Sequence, residues 1–205
     1  MLTDIFLQLV KKYTNDHELA NNLWLEIFTK YSEPKRHYHT IDHLKNMLRD
    51  LNEVKDKIED WDTILFAFFY HDIIYKAYSN SNESESAKLA MQRLSDLGYP
   101  APKIAKCANM ILVTKHHTLS DDDDTNYLLD ADLAIFGQPT EEYQKYSEQI
   151  REEYTLYADF MYNSGRKKAL QNFLQMEAIF KTDHFRKNYE NQSRMNISNE
   201  LDGLN

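Results

Sequence analysis

An all-α, single-domain helical bundle spanning residues 1–205 is predicted by three features of the sequence. Apolar residues recur at three-and-four spacing along most of the chain, while strict alternation over a strand's length is hard to find. Glycine and proline number only four each, too few for the turns of an all-β or doubly wound α/β fold. Apolar residues make up 42% and charged residues 28% of 205 positions, the composition of a globular chain long enough to bury its own core.

The elements follow in order. Leu2 to Tyr13 and Glu18 to Tyr31 read as two helices ahead of a break at Pro34. From Thr40 to Ile58 the pattern is cleanest: Ile41, Leu44, Met47, Leu48, Leu51, Val54 and Ile58 form one stripe, with charged residues opposite. Trp61 to Tyr75 is apolar nearly all round, as expected of a helix at the centre of a bundle. Ser79 to Asn82 is a polar linker before a helix from Glu83 to Leu97, which Gly98 is placed to stop. Pro102 suits the first turn of a helix running to His117. Asp121 to Asp124 reads as a solvated loop, since it lacks the glycine and terminal glutamate of a calcium loop. Tyr127 to Phe136 makes a short helix, and Gly137-Gln138-Pro139 punctuates. Thr140 can cap a long helix to Asn163, ended by Gly165, with Arg166 to Phe180 and Phe185 to Leu201 completing the set.

Charge and composition narrow the partners. With 24 basic and 33 acidic residues the chain carries −9, which repels a phosphate backbone and argues against a nucleic-acid polymer as partner. The longest apolar run, Ile64 to Tyr70, is far too short for a membrane span, and Met1 to Phe6 lacks the basic start of a signal peptide. The lone cysteine, Cys107, sits in an apolar stretch as a small core residue, so a cytoplasmic location is expected. Aromatics on the C-terminal helices would serve a homodimer if exposed and a core if buried.

Chemistry concentrates where ionisable residues interrupt apolar runs. His71-Asp72 follows Phe66-Ala67-Phe68-Phe69-Tyr70, and a carboxylate buried there needs a cation, an arginine or several donors. Either a divalent metal answers that need or the pair is bonded within the core. Arg36-His37-Tyr38-His39-Thr40-Ile41-Asp42-His43 places three histidines at the start of the third helix. His116-His117 ends another helix, and Asp130-Ala131-Asp132 lies among Leu128, Leu129, Leu133 and Ile135. Imidazoles and carboxylates are natural ligands of catalytic transition metals.

The order His43, His71-Asp72, Asp132 resembles the signature of the HD superfamily of metal-dependent phosphohydrolases. Its predicted-phosphohydrolase branch is matched more closely, through Arg36-x-Tyr38-His39-Thr40-x-x-His43, Phe69-x-His71-Asp72-Ile73-x-Tyr75, Asn82-Glu83-x-x-Ser86-Ala87, Thr114-x-His116 and Leu129-Asp130-Ala131-Asp132-Leu133. The likeness runs on through Ile150-Arg151-x-Glu153-Tyr154 and covers about residues 31–201; Tyr70 and Phe136 are conservative departures.

The resemblance implies an HD-type bundle with ligand helices over about 36–136 and C-terminal helices over about 140–201 packed on it. It implies that His43, His71, Asp72 and Asp132 bind a divalent ion such as manganese, magnesium, iron or another transition metal. Asp132 is preferred to Asp130 because the superfamily's last ligand follows a small residue and precedes leucine or a basic residue; Asp130 would support a ligand or cap a helix. Asp72 and Glu83 are the expected catalytic residues, Glu83 being otherwise a first-turn helix acid. Arg36, His39, Lys115 and His116 would grip phosphate, while Tyr143, Tyr146, Arg151 and Tyr154 either pack or line a nucleotide-sized pocket. The implied activity is hydrolysis of a small phosphorylated molecule, a nucleotide by preference. The alternatives are a non-catalytic nucleotide- or metal-binding regulatory module, or an HD-fold di-iron oxygenase using His116 or His117 at a second metal.

Overall fold

A computed structural model describes residues 1–204, and among these it is helical throughout, with no strand. Ten α-helices occur: α1 Leu2–Val10, α2 His17–Tyr31, α3 Ile41–Glu53, α4 Trp61–Tyr70, α5 Asn82–Asp96, α6 Ala101–Val113, α7 Asp123–Leu133, α8 Thr140–Glu153, α9 Asp159–Gln175 and α10 Asp183–Gly203. Short 3-10 turns at Lys55–Lys57 and Ala134–Gly137 link α3 to α4 and α7 to α8. No described helix is long and apolar enough to cross a membrane.

The core is organised around α4, whose residues from Thr63 to Tyr70 are all buried. An element apolar on every face needs neighbours on every side: α5, α6 and α7 pack against it, and Phe6 of α1 meets Phe69 edge to face with ring centres 5.0 Å apart. The stripe predicted on α3 is buried at Leu44, Met47, Leu48 and Leu51, and α3 packs against α7. Those two contacts bring the start of α3 and the ends of α4 and α7 into one place. Side-chain caps mark four of the starts, with Asp16, Thr40, Asp60 and Asp122 each accepting a backbone N–H in the first turn. At the end of α5, Gly98 takes φ +75°, and its N–H and that of Tyr99 return to Ser95 and Leu94, a Schellman closure.

Four expectations are corrected. The third helix ends at Glu53, short of Ile58, because a 3-10 turn intervenes. The fourth stops at Tyr70, so His71-Asp72 lies at a helix end rather than inside one. Asp121 to Asp124 is only partly a solvated loop: Asp122 caps α7, and buried Asp124 accepts the N–H groups of Glu59 and Asp60. The long helix from Thr140 breaks after Glu153, where Arg151 donates to the carbonyls of Tyr154 and Tyr157 and to Asp159; Gly165 lies inside α9, and Thr140 makes no capping bond.

The C-terminal helices are fastened by polar ties. Arg166 of α9 pairs with Glu200 of α10 and donates to Tyr146, while Tyr143 donates to Glu200, so both tyrosines are buried and tied into the packing. At Gly137 a Cβ atom would stand 2.4 Å from Cβ of Tyr189, so α10 rests directly on that backbone and any side chain there would push it off. Cys107 is fully buried, as expected.

Candidate metal centre

Three elements each deliver one donor atom. His43 stands in the first turn of α3 on its buried face, His71 caps the end of α4, and Asp132 lies in the last turn of α7. His43 Nε2 is 3.2 Å from His71 Nε2 and 3.3 Å from Asp132 Oδ1, and His71 Nε2 is 3.7 Å from the same Oδ1. These separations are those that bonds of about 2.0–2.2 Å to one shared ion subtend. The cluster can hold a metal ion.

The orientation of His71 is fixed from behind. Its Nδ1 lies 2.8 Å from the Phe68 carbonyl, which can only accept, so Nδ1 carries the hydrogen and Nε2 is the nitrogen turned to the cluster. Two imidazole nitrogens 3.2 Å apart repel unless a proton or cation lies between them, and Asp132 supplies the negative charge that attracts either. Burial disfavours charge on His71, but the Asp72 carboxylate beside it, reinforced by Asp132, pushes its pKa up to about 9. His43 goes the other way, because burial outweighs its hydrogen bond to Asp132. Against the cost of its own burial, Asp132 is held well below the carboxylate range by hydrogen bonds from His117 and His43. Two nitrogens and a carboxylate oxygen suit manganese, iron or zinc better than calcium.

Asp72, the fourth expected ligand, stands at the edge. Its Oδ2 is 3.3 Å from His71 Nε2 and 3.8 Å from His39 Nε2, and it falls outside the set whose donor atoms all lie within 4.8 Å of one another. Both Asp72 and Asp132 keep about 15% of their side chains exposed, whereas His43 and His71 are covered. Solvent reaches the cluster from the carboxylate side.

Arg36 does not grip an external anion; it builds the turn instead. Its guanidinium donates to the carbonyls of His39, Asp72 and Ile73 and lies between the rings of Tyr31 and Tyr75, with the side chain 1% exposed. That fork ties the segment carrying His39 to the segment carrying His71 and Asp72. The Tyr31 hydroxyl oxygen accepts the Asp72 N–H, and the Ser86 hydroxyl oxygen accepts the Ile74 N–H, so α4 ends on prepared partners.

The other expected residues divide. His39 is brought to the site, its ring stacked on Tyr75 at 4.1 Å and its Nδ1 2.7 Å from Glu153 Oε2. Glu83 and Lys115 lie near each other, 3.9 Å apart, with Lys115 donating to the Asn80 carbonyl; neither makes a hydrogen bond or ion pair with the three donors. His116 is exposed. Arg151 is spent on the turn between α8 and α9, stacking over Tyr162, and Tyr154 packs in that turn against Tyr157 and Tyr162.

Two residues carry more than the sequence suggests. His117 has φ +47°, the only positive φ outside glycine among the described residues, and its Nε2 lies 2.9 Å from Asp132 Oδ2. A left-handed histidine costs about 1 kcal/mol or more and persists only where its surroundings hold it. Glu153, from the end of α8, accepts the N–H groups of His37, Tyr38 and His39 on Oε1, and the hydroxyl of Tyr75 and the ring of His39 on Oε2. Nothing in local patterning announces a contact across 114 positions. Two clefts of about 750 Å³ flank the segment 33–37, one reaching Tyr75, Tyr78 and Glu153, the other His43 and Tyr146.

Comparison with protein families, with curated proteins and with solved structures finds no match to this chain.

Proposed function

We propose that the chain is a metal-dependent phosphohydrolase with an HD-type arrangement, acting on a small phosphorylated molecule, a nucleotide by preference. The observation that carries this reading is the convergence of His43 Nε2, His71 Nε2 and Asp132 Oδ1 at ligand separations from three helices. His43, His71 and Asp132 would hold a divalent cation, whose chemistry there would be to acidify water and to neutralise charge on a phosphoryl oxygen. Asp72 lies beside the donors with an oxygen on the open side, placed to accept a hydrogen bond from the attacking water. His39 presents Nε2 next to Asp72 and is the group best placed to hydrogen-bond a phosphoryl oxygen. Arg36, clamped on carbonyls, keeps those two segments in register. The rival readings, a non-catalytic sensor and an oxygen-activating di-iron enzyme, share the donors and differ in what they do with them.

The deciding experiment measures metal per chain by plasma mass spectrometry and phosphate release across a panel of nucleotides and sugar phosphates, for the native chain and for Asp132→Ala. About one transition-metal ion per native chain, lost in the folded variant together with phosphate release, is the expected result. Tight nucleotide binding without turnover would move the assignment to the sensor. Two irons with a visible spectrum would move it to the oxygenase.

A further inference from the structure

We propose that Glu153 is a positioning residue that sets both the tautomer and the direction of His39, presenting His39 Nε2 to the reacting phosphoryl group. The inference rests on the phosphohydrolase reading for what His39 does, and on geometry alone for how His39 is held. The Glu153 side chain is fully buried, yet every acceptor position it offers is filled by a donor. Oε1 takes three successive backbone N–H groups at 2.8, 2.8 and 3.0 Å, and Oε2 takes the Tyr75 hydroxyl and the His39 ring, each at 2.7 Å. A proton on this carboxylate would displace one of those donors, so the group is an anion and His39 Nδ1 is the nitrogen that carries hydrogen. Nε2 is thereby turned outward, 3.8 Å from Asp72 Oδ2, on a ring that retains 17% of its surface. Stacking on Tyr75 at 27° removes the remaining freedom of the ring, and the same Tyr75 is anchored on Glu153. A buried carboxylate behind an imidazole, with the far nitrogen facing the reaction, is the arrangement by which enzymes fix the tautomer of a working histidine.

Glu153→Gln tests this while keeping the shape. The amide oxygen still accepts the three backbone N–H groups, but its NH2 faces His39 and forces Nδ1 to accept, so the tautomer reverses. Native protein should show a slowly exchanging Nδ1 proton at low field in its NMR spectrum, absent from His39→Gln and from Glu153→Gln. With manganese-loaded protein and p-nitrophenyl phosphate, Glu153→Gln should lower kcat about 10- to 100-fold, leave metal content unchanged, and cause less than about a twofold further loss in a His39→Gln background. The proposal is overturned if the native spectrum lacks that proton, if Glu153→Gln retains it, or if the glutamate substitution costs the same factor with and without His39. Should Glu153→Gln fail to fold, the native and His39→Gln spectra still decide it. A native chain that shows the proton but hydrolyses nothing would defeat the phosphohydrolase reading and leave the hold on His39 standing.

Discussion

Asp130 and Asp132 lie two positions apart on α7, and the fold puts them to opposite uses. Asp130 is fully buried and saturated by fixed donors, the N–H groups of Lys181 and Thr182 and the Thr182 hydroxyl, so that it anchors the segment leading into α10. Asp132 meets only imidazoles, those of His43, His71 and His117. A backbone amide cannot be exchanged for anything else, whereas an imidazole proton can give way to a cation. The same contrast recurs elsewhere: Asp124 and Glu153 accept backbone amides, while Asp72 faces two histidines. In this chain, what a buried carboxylate faces separates the acids that hold the fold from those that can hold an ion.

Paired substitutions break or sharpen that contrast. Asp132→Asn should weaken metal binding at least about 1000-fold, beyond the cost of losing a ligand's outer partner. Asp130→Asn should instead lower unfolding free energy by about 2–3 kcal/mol, or roughly 4–10 °C in Tm, with metal per folded chain unchanged. Equal metal loss in both would erase the distinction. Arg36→Met comes next: three carbonyls lose their donor, and denaturant unfolding should show a loss of about 2–4 kcal/mol.

Acid titration provides a further test. Burial works against ionised Glu153, but His39 and the amide donors depress its pKa from 4.5 to about 2. A depressed carboxylate stabilises the fold fully above its unfolded pKa and loses that contribution as pH falls through the folded value. Between pH 4.5 and 2 the native chain should therefore lose about 3 kcal/mol more than Glu153→Gln, measured by urea unfolding at each pH. The smallest effect is expected for His117→Asn. Asparagine tolerates the left-handed backbone, so the fold should persist while metal affinity, measured by calorimetric titration, drops about 10-fold through loss of the contact to Asp132.

Much of the helix order was legible because its signals are local. The stripe of α3, the all-round apolarity of α4 and the Gly98 stop are each written within a few residues. The break after Glu153 was not, since Tyr154-Thr155-Leu156-Tyr157-Ala158 contains neither glycine nor proline and the turn is closed by Arg151 instead. At the site, histidines and aspartates interrupting apolar runs marked His43, His71, Asp72, Asp130 and Asp132, and of these His43, His71 and Asp132 meet. Arg36 misled because a positive charge beside histidines resembles an anion grip, and only the fold shows three carbonyls waiting for it. Glu153 escaped because its partner His39 lies 114 positions away, and His117, expected only at a second metal, instead meets Asp132.

The Glu153 contacts also set an order of assembly. A chain made from its N-terminus has all three metal donors once Asp132 has been added, but the N–H groups of residues 37–39 have no acceptor until Glu153 follows. The ion-holding part of the molecule is thus complete in the nascent chain before the part that aims His39. Helices α9 and α10 come later still, after every donor already exists.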